Sequence, residues 1–196
     1  SMVKKGKGIL AADESNPTCN KRFESIGVES SFAMRNDYRD LLLTADGLEK
    51  YISGVIMFDE TFRQSTTCDK KIAFPEFLAS KNILPGIKVD TGAKDLAGFP
   101  YEKITEGLDG LRERLAEYFS LGARFAKWRA VININETLPS VSAMIANAHA
   151  LARYASLCQE NGIVPIVEPE VLMDGSHNID KCYEVTCKTL DILFDQ

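Results

Sequence analysis

Apolar and polar residues follow one another in blocks along the chain, and the blocks predict strands and helices in alternation. Apolar residues at helical spacing predict helices over residues 32–43, 105–121 and 178–194. A short helix is predicted over residues 74–80, and another opens at Pro139 and ends near Asn161. Five apolar runs between these segments predict strands, over residues 8–13, 51–58, 84–90, 123–132 and 163–170.

Five strands separated by helices predict a parallel sheet with right-handed crossovers. The first strand is not followed by G-x-G-x-x-G, which disfavours a dinucleotide-binding fold. Charged residues close four of the five strands, and a (β/α)₈ barrel builds its site from many strand ends. We therefore predict an α/β chain, one partial (β/α)₈ barrel domain over residues 1–196, which supplies about five of the eight units and stops before the sixth strand.

The charged residues at the strand ends predict one polar pocket. Three pairs are spaced two apart, so the members of each pair lie on the same face of a strand. A network of salt bridges without a catalytic role is the competing interpretation of these charges. Asp13 could instead be a helix N-cap. The seven residues expected to converge are Asp13, Lys88, Asp90, Lys127, Arg129, Glu168 and Glu170.

Composition narrows the function classes. The net charge of −5 argues against non-specific nucleic-acid binding, and no apolar run approaches the ~20 residues of a membrane helix. Five cysteines without a C-x-x-C pair favour reduced thiols and a cytoplasmic location. Two histidines, far apart in sequence, do not suggest a zinc site, so neither a metal nor a cofactor is expected.

Lysines and carboxylates without a metal or nucleotide loop suggest carbonyl chemistry. A lysine amine condenses with a ketone or aldehyde to form an iminium, and carboxylates move the protons. Glu168 and Glu170 on one face repel each other, which favours one protonated and one ionised group. Both carboxylates could equally serve as ion-pair partners of Lys127 and Arg129.

Several segments resemble one enzyme family, class I fructose-bisphosphate aldolase. The matching segments, in chain order, are G-K-G-I-L-A-A-D-E-S, L-L-L-T, I-S-G-V-I-M-F-D-E-T, P-G-I-K-V-D, E-G-L-D-G-L, G-A-R-F-A-K-W-R, L-A-R-Y-A-S and N-G-I-V-P-I-V-E-P-E. The resemblance implies a barrel enzyme of glycolysis, a homotetramer when full length, that splits fructose 1,6-bisphosphate through a lysine Schiff base.

The resemblance also implies roles for individual residues. Asp13 would polarise the carbinolamine, Lys127 would be the cation beside the iminium, and Glu168 would be the general acid and base with Glu170 as its partner. The residues expected to bind substrate oxygens or phosphate are Lys88, Arg129, Arg22, Thr18 and Arg35.

The chain departs from the family pattern at a few positions. Thr91 replaces a lysine and Ser176 an aspartate that are common in the family. The Schiff-base lysine of the family lies in an L-L-K-P-N type motif on the sixth strand, which these residues do not contain. We therefore expect the chain as written to be inactive alone.

Two alternatives stay open. The first is a non-enzymatic binding or scaffold role, because the family is said to bind cytoskeletal and adhesin tails. The second is another Schiff-base barrel enzyme that uses Lys127 or Lys88 as its nucleophile.

Overall fold

The computed structural model describes residues 2–196, which form two compact units. The first unit comprises the residues up to Lys88 together with Glu117–Ala126, and the second comprises Val89–Ala116 together with Lys127–Gln196. The helices are α1 (Asn16–Ser25), α2 (Phe32–Leu43), α3 (Leu48–Tyr51), α4 (Asp59–Phe62), α5 (Phe74–Ser80), α6 (Leu111–Ser120), α7 (Val141–Glu160) and α8 (Ile179–Asp195). The strands are β1 (Gly8–Ala12), β2 (Ile52–Met57), β3 (Leu84–Lys88), β4 (Gly92–Asp95), β5 (Lys103–Glu106), β6 (Phe125–Ile132) and β7 (Val164–Val171).

The first unit is built on three parallel strands in the order β1-β2-β3. Their last paired row joins Ala12 to Met57 and Met57 to Ile87. The ring of Phe125 lies against β2 and β3, where a Cβ at Gly54 would come within 2.9 Å and one at Gly86 within 2.2 Å. Glycine at these two positions therefore makes room for the ring.

The second unit places β6 beside β7, and Leu172 N donates to Ile132 O at 2.9 Å. The strands β4 and β5 form a separate antiparallel pair. The core of this unit includes Trp128 and Tyr154, both fully buried, with ring centroids 5.6 Å apart. One face of β6 therefore packs into an aromatic core.

Capping residues define where several helices begin. Ser31 accepts a hydrogen bond from Met34 N at the start of α2, and Ser140 accepts one from Ala143 N at the start of α7. Asn178 caps α8 in the same way. Each side chain satisfies a backbone donor that the first turn leaves without a helical acceptor.

The five predicted strands are confirmed as β1, β2, β3, β6 and β7, with bounds that shift by a few residues. The predicted helix over residues 105–121 is wrong in its first part, because it begins only at Leu111. Gly107 and Gly110 have φ values of 129° and 65°, outside the helical region. The β4–β5 pair and helix α1 were not predicted, and the prediction of one partial barrel domain stays a prediction.

Across residues 2–196, none of the helices combines the length and the apolar character required to cross a membrane.

Candidate active site

Strand β6 presents two cations on one face. Trp128, Ala130 and Ile132 are buried, whereas Lys127 and Arg129 alternate with them and are only partly buried. Successive side chains of a strand point to opposite faces, so the apolar residues pack on one side and the cations share the other. The sequence folds this way because F-A-K-W-R-A-V-I alternates small or apolar residues with charged ones.

Strand β7 places two carboxylates next to these cations. Lys127 Nζ lies 3.3 Å from Glu168 Oε2. Arg129 Nε donates to Glu170 Oε2. The structure thus brings four of the nine predicted site residues together as two parallel ion pairs between neighbouring strands.

The two ion pairs differ in quality. Hydrogen bonding to Glu170 raises the pKa of Arg129, and the charges of Glu170, Glu168 and Asp90 act in the same direction. The guanidinium therefore stays charged. Glu168 Oε2 is buried and close to Lys127, yet among the described residues it accepts no hydrogen bond of good geometry. The Glu168 contact is an electrostatic pair that leaves acceptor capacity unused.

Asp90, which the sequence analysis expected among the converging charges but gave no chemical role, lies beside this group. Its side chain is 7% exposed. Asp90 Oδ1 accepts from Gly92 N at 3.0 Å and Oδ2 from Arg129 N at 3.4 Å. The signal was present in the sequence, because Asp90 is the acidic residue that closes the K-V-D run.

In the first unit, Asp13 and Lys88 lie at the carboxyl ends of strands. Each comes one residue after the last paired row, Asp13 after Ala12 and Lys88 after Ile87. The strands are parallel, so these ends lie at the same edge of the three-stranded sheet. Whether all seven strand-end charges converge stays a prediction.

Helix α1 carries two of the predicted phosphate ligands. Thr18 Oγ1 is 3.1 Å from Ser15 Oγ, and the exposed Arg22 forms an ion pair with Glu14 at 3.1 Å. Glu14 also accepts from Tyr38 OH at 3.3 Å. The hydroxyl and the guanidinium therefore lie against Ser15 and Glu14, which closely follow the carboxyl end of β1. Their role as phosphate ligands stays a prediction.

Arg35 lies in a different setting, a cluster around Glu60 that the sequence analysis missed. Arg35 donates to both carboxylate oxygens of Glu60, at 2.7 and 2.8 Å. Arg39, 3% exposed, also donates to Glu60, as does Asn16 Nδ2 at 3.0 Å. Hydrogen bonding from Arg35 and then Arg39 lowers the pKa of Glu60 to about 2. We call Glu60, Arg35, Arg39 and Asn16 the Glu60 cluster.

Comparison with known proteins agrees with the resemblance. The family model for fructose-bisphosphate aldolase class-I matches residues 1–196. The chain belongs to the class-I fructose-bisphosphate aldolase family. This match confirms the resemblance. The observed strands and helices confirm the predicted α/β fold class.

Relatives of this aldolase chain come from bacteria, plants and a parasite. It is 61% identical over 194 residues to a probable fructose-bisphosphate aldolase class 1 of Xanthomonas axonopodis, covering 99% of the chain and 58% of the relative. The cytoplasmic aldolase isozyme of Spinacia oleracea is 54% identical, with coverages of 94% and 51%. The chain thus spans little more than half the length of these relatives.

A solved aldolase structure shares the fold. The fructose-bisphosphate aldolase of Plasmodium falciparum, in a complex with TRAP and a small-molecule inhibitor, matches with a TM-score of 0.94 and 48% identity. The match covers 99% of this chain and 56% of the other. The agreement covers the strands and helices that carry the candidate site.

Proposed function

We propose that the protein is a fructose-bisphosphate aldolase that reversibly cleaves fructose 1,6-bisphosphate to dihydroxyacetone phosphate and glyceraldehyde 3-phosphate through a lysine Schiff base. One observation carries the proposal. A chain of this family holds Lys127 and Glu168 as a close pair, 3.3 Å apart, on two neighbouring strands. An ammonium and a carboxylate at this distance can supply the charge stabilisation and the proton transfer that iminium formation on another lysine requires.

Iminium formation sets the task of the pair. An amine adds to the substrate ketone to give a carbinolamine, which must lose its hydroxyl as water. Glu168, if protonated, would donate the proton that leaves with this hydroxyl, and its carboxylate would later accept one. Lys127 would stabilise negative charge that develops on substrate oxygens.

Arg129 and Glu170 would support this pair. The Arg129 guanidinium holds Glu170 in place through their hydrogen bond. Glu170 would thereby serve as the anchor of Arg129, which leaves Glu168 as the carboxylate beside the ammonium of Lys127. Two carboxylates on one strand would then have different tasks, as the sequence analysis expected.

For the first unit we propose the roles that the resemblance implies. Asp13 would polarise the carbinolamine, and Lys88 would bind substrate oxygens. Thr18 and Arg22, on the exposed side of α1, would bind a phosphate. Arg35 would act less directly, because both oxygens of Glu60 already take its donors.

Assembly, partners and location are also proposals. We propose a homotetramer, as the resemblance implies. We also propose a cytoplasmic location, which the spinach relative supports because it is a cytoplasmic isozyme. A binding role is the second candidate function, and the Plasmodium aldolase supports it because that protein is in a complex with TRAP. The comparisons offer no such support for Lys127 or Lys88 as the nucleophile.

Trapping with borohydride tests the proposed function. The protein is incubated with dihydroxyacetone phosphate, reduced, digested and mapped by mass spectrometry, while cleavage of fructose 1,6-bisphosphate is assayed in parallel. Cleavage together with an adduct on a lysine other than Lys127 and Lys88 supports the aldolase mechanism. An adduct on Lys127 or Lys88 would instead support the other Schiff-base enzyme. If the protein shows neither cleavage nor an adduct, the binding role remains. A pull-down tests that role, and partner binding that persists in the Lys127→Met variant would support it.

A further inference from the structure

Arg114 joins two backbone segments of the second unit with one guanidinium. Its Nη1 donates to Val89 O at 2.9 Å and its Nη2 to Gly107 O at 2.5 Å. Val89 follows β3 and Gly107 follows β5, so the two acceptors lie on different segments. The planar fork of arginine suits such a bridge, because both donors are fixed in one plane.

Val89 connects this bridge to the candidate site. Val89 N donates to Lys127 O at 3.1 Å, and Val89 is 1% exposed. Its carbonyl accepts from Arg114, so the two polar groups of one residue link the guanidinium to the backbone of Lys127. The next residue, Asp90, accepts from Arg129 N at 3.4 Å. The short Val89–Asp90 segment therefore contacts the backbone of both cationic residues of β6.

Gly107 lets the second segment approach Asp90 closely. A Cβ at Gly107 would lie 3.0 Å from Thr91 N and 3.2 Å from Asp90 Cα, and its φ of 129° favours glycine. Thr91 N also donates to Glu106 O at 2.9 Å. The loop after β5 therefore packs closely against the segment after β3, and Arg114 donates a hydrogen bond to a carbonyl of each.

We propose that Arg114 is a positioning residue for the aldolase reaction, acting through Val89 on the placement of Lys127 opposite Glu168. This role rests on the proposed function. Arg114 donates to backbone carbonyls, so its effect on chemistry passes through another residue. Misplacement of a reacting group by about 1 Å can cost on the order of 10²-fold in rate, which makes such a clamp consequential.

The test is Arg114→Lys in the full-length protein, with Arg112→Lys as the matched control. Lysine keeps the charge, but a single ammonium cannot reproduce the planar two-carbonyl bridge. Arg112 lies on the same helix, is exposed and pairs with Glu160. We measure kcat and KM for fructose 1,6-bisphosphate, the folded fraction by circular dichroism, and exchange of the Val89 and Lys127 amides by NMR.

A positioning role predicts that R114K lowers kcat about 10- to 100-fold per folded molecule and changes KM less than about 3-fold. Val89 amide exchange should accelerate about 10-fold, while R112K leaves these values unchanged. In Arg114→Ala, millimolar guanidinium ion should restore part of kcat, which a general loss of packing would not allow.

Two results would overturn the role. One is unchanged Val89 exchange in R114K, and the other is a kcat that falls only in proportion to the folded fraction. Absence of cleavage in the unsubstituted protein would be a different failure. It would refute the proposed function, and the positioning role with it, whatever the amide exchange shows.

Discussion

The Glu60 cluster in the first unit and the β6–β7 pairs in the second both hold arginine or lysine against glutamate, yet they differ in how completely the charges are used. Glu60 takes donors from Arg35, Arg39 and Asn16 on its two oxygens. The Oε2 atom of Glu168 has one close cation at 3.3 Å and no well-aligned hydrogen bond among the described residues. One carboxylate is saturated, and the other is not.

Saturation determines what each carboxylate can do. Hydrogen bonds from Arg35 and Arg39 hold the pKa of Glu60 at about 2, so this group does not exchange protons near neutrality. Its effect is structural, because it ties the start of α1 to two turns of α2. A carboxylate with unused acceptor capacity can instead bind a proton or a substrate hydroxyl. The comparison therefore predicts a stability role for Glu60 and a chemical role for Glu168.

The largest expected effect is on activity, in Glu168→Gln. The amide keeps the size of the side chain but cannot transfer a proton, so kcat for fructose 1,6-bisphosphate should fall about 10²- to 10⁴-fold. The free energy of unfolding should change by less than about 1 kcal/mol, because the group is partly exposed and bonded through one ion pair. Steady-state kinetics and urea unfolding measure the two effects.

The control for this variant is Glu184→Gln, which removes an exposed carboxylate paired with Lys181 on α8. It should leave kcat unchanged within about twofold, as most surface substitutions do. A Glu168→Gln enzyme with normal kcat would remove Glu168 from the proposed acid–base role.

The next effect is on stability, in Glu60→Gln. The substitution leaves Arg35 and the 3% exposed Arg39 without their carboxylate, and breaking a buried ion pair costs about 3 kcal/mol or more. Urea denaturation should show this loss. Glu117→Gln, which breaks a pair with Arg63 where both side chains are more than 40% exposed, should cost at most about 1 kcal/mol. Equal losses in the two variants would contradict the contrast between the clusters.

Acid should reveal the same cluster in the unsubstituted protein. The pKa of Glu60 falls from 4.5 to about 2 on folding, because Arg35 and Arg39 donate to the ionised form. Its stabilising contribution is therefore complete above pH 4.5 and is lost as the pH falls towards 2. The loss is on the order of 3 kcal/mol. Urea unfolding at pH 6, 4 and 3 should show a shallower pH dependence in Glu60→Gln, and parallel curves would assign the acid sensitivity elsewhere.

The sequence predicts the second region better than the first, and the reason is local. The two cations of β6 are spaced two residues apart, and so are the two carboxylates of β7. The period of two in a strand therefore already places each pair on one face: Lys127 with Arg129, and Glu168 with Glu170. The ion pairs across β6 and β7 follow once these strands are neighbours. Pattern and pairing agree there because both depend on strand geometry.

The Glu60 cluster depends on contacts that no local period encodes. Asn16, Arg35, Arg39 and Glu60 come from three helices, at sequence separations of up to 44 residues. Arg114 was missed for a similar reason, since helical periodicity only marks it as a polar position between Leu111 and Leu115. Its acceptors are backbone carbonyls, which the sequence does not mark.

The smallest expected effect tests the backbone fit in the second unit. Gly107→Ala forces a Cβ to within 3.0 Å of Thr91 N at a φ of 129°, whereas Gly98→Ala introduces a Cβ at a φ of 80° with no atom within 4 Å. Both variants carry the conformational cost of a left-handed residue, about 1 kcal/mol. The additional contact should bring the loss in Gly107→Ala to about 2 kcal/mol or more.

Urea unfolding of both variants measures the difference, and the position of the loss can be followed by amide exchange at Thr91. Because Thr91 N donates to Glu106 O, an added methyl at Gly107 should accelerate exchange there but not in Gly98→Ala. Equal destabilisation of the two variants would mean that the loop after β5 moves away from Asp90 without cost. The backbone of the second unit would then be adaptable, and the placement of the charged side chains would depend on the β6–β7 ion pairs.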